Sequence, residues 1–193
     1  MPRDRAAPAR LLCTVVGVTA LVAPALHSLT DVLEWYHHGF TDAQLWLNLI
    51  AFLPMPLLLA GIWAVHDPRP GAAGLVGAVL YGAAFAYFTF TTLYALAEHI
   101  PTYEALWARL GPVYTFHGAL MVGGGVLFGA SALRAGWLPR LPVLLFLAGI
   151  VANLVLALLP APDILQTIGS AMRNCGLIAM GFAILARRAP PAQ

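Results

Sequence analysis

Ten arginines, eight carboxylates and six histidines carry almost all the ionisable chemistry of this chain. The stretch ALHSLTDVLEWYHHGFTD, residues 25–42, holds His27, Asp31, Glu34, His37, His38 and Asp42. On an α-helix His27, Asp31, Glu34 and His38 recur at i, i+4, i+7 and i+11, which is one face. An imidazole one turn from a carboxylate suits a general base with an orienting partner. The same pair could supply two ligands to a divalent metal. Pro24, just upstream, lacks the N–H that would bond the Ala20 carbonyl and predicts a kink below this face. His37 and His38 read as interfacial loop residues.

The elements that must position these groups follow from composition. The chain is 61% hydrophobic and 9% charged, with mean hydropathy +0.82, against about 25% charged residues in a soluble domain. That implies an integral membrane protein. The pattern predicts an all-α bundle of six transmembrane helices in a single domain, 1–193, with spans near 11–33, 43–65, 72–97, 112–133, 141–159 and 164–186. Each run has roughly the 17–25 residues needed to cross the hydrocarbon core. The first run is read as a retained span rather than a cleaved leader. Pro54 and Pro56 predict a bend in the second span. Pro160–Pro162 separates the last two, and Asp163 is the expected cap of the sixth. Gly17, Gly61, Gly77, Gly118, Gly129, Gly149 and Gly181 are expected at close helix contacts.

Several function classes drop out. Every basic residue besides histidine is arginine, so no Schiff-base lysine exists. The arginines are scattered at loop ends, with no basic patch for nucleic acid. Cys13 and Cys175 are isolated within apolar runs and read as small buried residues. Arginine also sets the expected orientation, because Arg3, Arg5, Arg10, Arg69, Arg134, Arg140, Arg187 and Arg188 fall on one side. Arg109 falls on the other, with Asp31, Glu34, Asp42, Glu98, Glu104 and Asp163. The expectation is the cytoplasmic (inner) membrane with both termini inside and the acidic stretch facing out.

Counting about 1.5 Å per residue from each boundary places His27, Asn48, Tyr87 with Thr91, His117 and Asn153 at one depth, outward of the midplane. Arg173 starts lower and can snorkel up. Tyr87, Thr91, Tyr94 and Glu98 share a helix face, as do Tyr114, His117 and Met121, and Gln166, Ser170 and Arg173. An ionisable group inside a span marks a candidate site. The expected catalytic set is His27, Asp31, Glu98 and His117. Arg173, Tyr87, Thr91, Tyr94, Asn48 and Asn153 would bind substrate, and His27, Asp31 and His117 could hold a divalent metal. Asp31 and Glu98 are the expected counter-charges of Arg173. Asn48, Asn153 and Ser170 also fit simple interhelical hydrogen bonding.

Three functions fit this layer. One is acid–base or metal-assisted chemistry on a lipid or small apolar substrate, in an outward-opening pocket. Another is a small-molecule transporter or substrate-capture subunit. A third is a b-type haem between His27 and His117, disfavoured by the acids at the mouth. A scaffold with a structural polar layer is the plainest alternative. The bilayer and a lipid or small-molecule ligand are the expected partners.

The segments HGALMVGGGVLFGASAL, RAGWLPR, LPVLLFLAGIVANLVLALL and GLIAMGFAIL resemble an uncharacterised family of six-span bacterial membrane proteins. The resemblance covers the second half of the chain. It implies architecture and carries no activity or site residues.

Overall fold

The computed structural model describes residues 6–159 and 163–187. The expected Pro160–Pro162 break and the side chain of Asp163 lie outside the described residues. Among the described residues eight helices run in order: α1 (Ala6–His37), α2 (Asp42–Phe52), α3 (Met55–Val65), α4 (Gly71–Ala97), α5 (Tyr103–Leu110), α6 (Pro112–Ala135), α7 (Arg140–Ala157) and α8 (Asp163–Arg187). Six segments among the described residues are long and apolar enough to cross a membrane: Pro8–His37, Asp42–Val65, Gly71–Ala97, Pro112–Ala135, Arg140–Ala157 and Ile164–Arg187. The chain is an all-helical, multi-pass membrane protein.

Proline acts differently at its two interior sites. α1 continues through Pro24. The second span is split at Leu53-Pro54 into α2 and α3, because Pro54 and Pro56 together remove two backbone donors from one turn. α4 then closes on the break. A side chain at Gly82 would collide with the Pro56 carbonyl.

The spans close into a ring: α1 packs on α8, α8 on α7, α7 on α6, α6 on α4, and α4 on α2 and α3, which return to α1. Tyr81, Phe85, Phe128, Phe146, Ile150, Leu177 and Met180 fill the ring. Two seams bring backbones together. A methyl group at Gly149 would land on the backbone of Arg173, and one at Gly77 on the backbone of Phe128. Of the glycines expected at contacts, Gly118 differs: nothing stands within 4 Å of a Cβ there.

The connections at the Asp31 end of the bundle are more ordered than a polar loop. Within 98–111 the short helix α5 forms, capped by Thr102, whose hydroxyl accepts from the Ala105 N–H at 3.3 Å. Its Leu106 buries against Leu45, Ala95, Ile100 and Tyr114. The Phe40 N–H donates to the Pro101 carbonyl at 2.7 Å, stitching the α1–α2 turn to the α4–α5 turn. The α5 helix therefore lies across the end of the bundle where Asp31 and Glu34 emerge.

Candidate functional site

Three of the expected residues converge at the centre of the ring. Arg173 enters from α8, is 2% exposed, and spans the interior. Its Nη2 lies 3.5 Å from His27 Nδ1, its Nη1 3.4 Å from the Met121 sulfur, and its Nε 3.5 Å from the Asn174 amide oxygen. The guanidinium stands over the Phe85 ring at 5.8 Å. His27 Nε2 lies 3.4 Å from Asp31 Oδ1. One tautomer serves both ends: an N–H on Nε2 donates to Asp31 while the Nδ1 lone pair accepts from Arg173. The result is a linear carboxylate–imidazole–guanidinium chain, net neutral when Asp31 is ionised. The side chain of Asp31 is 19% exposed, so the chain reaches the protein surface at its carboxylate end and is sealed at its arginine end.

The imidazole is clamped by edge-on contacts to Phe52 at 4.7 Å and Phe85 at 6.1 Å. The helices are pinned around it by side-chain bonds. Asn174 Nδ2 donates to Ser28 Oγ at 3.0 Å across α8 and α1. Thr30 Oγ1 sits 2.8 Å from the His27 carbonyl and 3.0 Å from Asn48 Oδ1, its one proton serving one at a time. Gln44 Nε2 reaches the Thr30 carbonyl at 3.4 Å.

His117 occupies a second, separate centre. It is 3% exposed and boxed by Phe88 at 4.2 Å, Tyr114 at 4.5 Å and Tyr87 at 4.8 Å. No hydrogen bond of good geometry reaches either ring nitrogen among the described residues, although the Tyr114 carbonyl is within reach, and the buried Tyr81 hydroxyl has no partner among them. The rings of Phe85 and Phe88, 5.4 Å apart, link this centre to His27. The expected grouping of His27, Asp31 and His117 is thus not formed. No three His, Cys, Asp or Glu side chains gather in a metal-holding group among the described residues. His27 and Asp31 are short of the three or four protein ligands of a zinc site. The two aromatic rings also fill the path a haem between the imidazoles would take.

Glu98 departs furthest from expectation. It pairs with Arg109 at 3.4 Å, both about half exposed, and does not reach Arg173. Thr91 is buried but bonds back to the Phe88 carbonyl at 2.9 Å in its own helix. Tyr94 stacks on Phe90. Asn153 Nδ2 donates to Ser170 Oγ at 3.0 Å, tying α7 to α8, while its Oδ1 has no partner.

Above the chain, Tyr103 of α5 packs against Tyr114 at 5.3 Å. Desolvation pushes the Tyr103 phenol up to about 12; the nearby charges of Glu34, Asp31 and Glu104 add to this, and a hydrogen bond with Tyr114 opposes it. This end of the bundle is thus carboxylates and phenols under a helical cover.

Sequence reading passed over Asn174, Ser28, Thr30 and Gln44. The missed signal was the doublet Arg173-Asn174. Adjacent residues on a helix do not share a face, but a helix inside a ring buries two faces, one toward each neighbour.

No family model matches the chain, and no solved structure matches it. Among curated proteins it is similar to the anti-sigma-F factor NrsF of Caulobacter vibrioides (strain NA1000 / CB15N), 31% identical over 105 residues. That alignment takes in 51% of this chain, and the chain spans only 44% of that relative's length.

Proposed function

We propose that this is a bacterial cytoplasmic-membrane protein, both termini inside, that binds the anionic group of a small amphiphile at Arg173. The Asp31–His27 pair then serves as its acid–base partner. One observation carries the reading: the guanidinium at the ring's centre is served by an amide oxygen, a thioether and one imidazole nitrogen, with no carboxylate directly on it. An uncompensated buried donor costs about 1–3 kcal/mol, more when charged. A phosphate or carboxylate would satisfy Arg173 in bidentate fashion. Displacing Nη2 from His27 would free the Nδ1 lone pair to accept a proton, with Asp31 stabilising the resulting imidazolium.

The test is native mass spectrometry and lipid analysis of the purified protein. Wild type should retain an anionic amphiphile that Arg173→Gln releases. His27→Gln should retain it and lose any turnover of it. Equal retention by wild type and Arg173→Gln would refute the assignment.

The likeness to an anti-sigma-F factor favours a second reading, a membrane-embedded regulator whose centre senses rather than turns over its ligand. The sealed arginine end of the chain suits that role. Deleting the gene should then change the transcripts of one sigma factor's genes, and Arg173→Gln should mimic the deletion. An unchanged transcript profile would dismiss it.

A further inference from the structure

At the opposite end of the bundle a groove of about 580 Å³ opens between the start of α1 and the end of α3. That is within the range of roughly 300–1,000 Å³ that holds a small ligand. Leu12, Cys13 and Val65 give it apolar walls, and His66, Asp67 and Arg69 give it a polar edge. Leu11 and Leu12 are exposed on α1, so the wall is continuous with the face the bilayer covers.

Two polar groups there are set in place. Arg69 is held over the Trp63 ring at 5.1 Å, and that ring is fixed by Nε1 donating to the Gly71 carbonyl at 3.0 Å. His66 is 3% exposed, and its Nδ1 lies 2.9 Å from the Ile62 carbonyl. A carbonyl can only accept, so the ring proton is on Nδ1 and Nε2 is a lone-pair acceptor. That Nε2 has no partner among the described residues. The edge therefore offers one cation with the Asp67 carboxylate near it, and behind them one buried acceptor that a hydroxyl could satisfy. The surrounding charge favours an anion. Arg10, Arg69, Arg134, Arg140 and Arg187 cluster at this end, against Asp67 alone among the described residues.

We propose that this groove binds the headgroup of an anionic, hydroxyl-bearing phospholipid of the phosphatidylglycerol type. Arg69 meets the phosphodiester and His66 Nε2 accepts from a headgroup hydroxyl. The acyl chains lie along the apolar wall of α1. The site is independent of the Arg173 centre.

The test uses full-length protein in nanodiscs of phosphatidylcholine doped with one lipid at a time, read by native mass spectrometry after release. Phosphatidylglycerol should be retained over phosphatidylcholine by about fivefold, the factor for roughly one juxtamembrane arginine, and over phosphatidylmethanol, which has the charge without the hydroxyls. Arg69→Gln should abolish the first preference, and Arg134→Gln, an equal charge loss outside the groove, should not. His66→Asn keeps a donor for the Ile62 carbonyl and should abolish only the second preference. Leu12→Trp should fill the groove and abolish both, with Arg69 intact. In an Arg173→Gln background both preferences should persist and Leu12→Trp should still abolish them, which separates this site from the central one. Equal losses in Arg69→Gln and Arg134→Gln, or equal retention of phosphatidylglycerol and phosphatidylcholine by wild type, would overturn the proposal. So would competition by inorganic phosphate alone, which would make the ligand a free anion.

Discussion

Asp31 and Arg173 should be energetically coupled even though they do not touch. The legs of 3.4 and 3.5 Å, with the imidazole between them, hold the charges about 9 Å apart or less, worth about 2 kcal/mol at an effective dielectric constant of about 20. Asp31→Asn should therefore destabilise the bundle by about 2 kcal/mol, because Arg173 remains buried without its counter-charge. Arg173→Met, similar in reach and apolar, should strand Asp31 in turn, less severely because that carboxylate is partly exposed. The double variant has no stranded charge and should be more stable than the sum of the singles by about 2 kcal/mol. The assay is reversible unfolding in mixed detergent micelles, with the coupling energy taken from the four proteins. His27→Phe separates two explanations. If charge balance is the cause, the coupling survives loss of the imidazole; if the hydrogen-bonded chain is the cause, it vanishes. Additivity within about 0.5 kcal/mol would refute a linked chain altogether.

Three further outcomes follow from local geometry. Gly149→Ala should cost about 1–3 kcal/mol, the usual range for overpacking, since its methyl would meet the Arg173 backbone, while Gly118→Ala should be neutral or stabilising because nothing adjoins it; thermal melts of the two check this. Asn153→Ala should cost about 0.6 kcal/mol, as for an average interhelical bond in a membrane, and leave ligand retention intact if Asn153 serves only to join α7 to α8 through Ser170; loss of ligand without loss of stability would place it in the binding site. His66 is held below its ordinary pKa first by burial and then by the charge of Arg187, with its bond to the Ile62 carbonyl opposing. The folded state therefore keeps it neutral while the unfolded chain takes a proton below about pH 6.5. Stability should be flat above that pH and decline as pH falls through and below it, and His66→Asn should remove that part of the acid loss. A melt series showing the same acid slope in both proteins would contradict the assignment.

Six spans were legible because hydrophobic length is a one-dimensional property, and the paired prolines at Pro54 and Pro56 did divide the second span. Helix α5 was not read from the sequence, although Thr102 and Glu104 carry the composition of a helix start. Its eight residues were taken as a polar connection because they are too few and too polar to span. The His27–Asp31 pair was legible for the same reason that it forms: both residues belong to one helix, one turn apart. Arg173 was identified by depth, and its ring position then brought it to His27 because α8 closes against α1.

Depth fails where azimuth decides. His117 and His27 were matched in height, but α6 stands across the ring from α1, and α4 sends Phe85 and Phe88 into the space between. Glu98 lies on the face expected for it and still faces outward, because its helix ends there and Arg109 of α5 supplies a nearer cation. The two imidazoles therefore belong to different environments: one wired to a carboxylate and a guanidinium, the other held in an aromatic box. What joins them is Arg173, whose Nη1 reaches Met121, one turn from His117 on α6. A ligand that drew the guanidinium away from Met121 and His27 would loosen both sides of the ring at once. Arg173 is thus the residue through which occupancy of the centre would be felt by α1, α6 and α8 together.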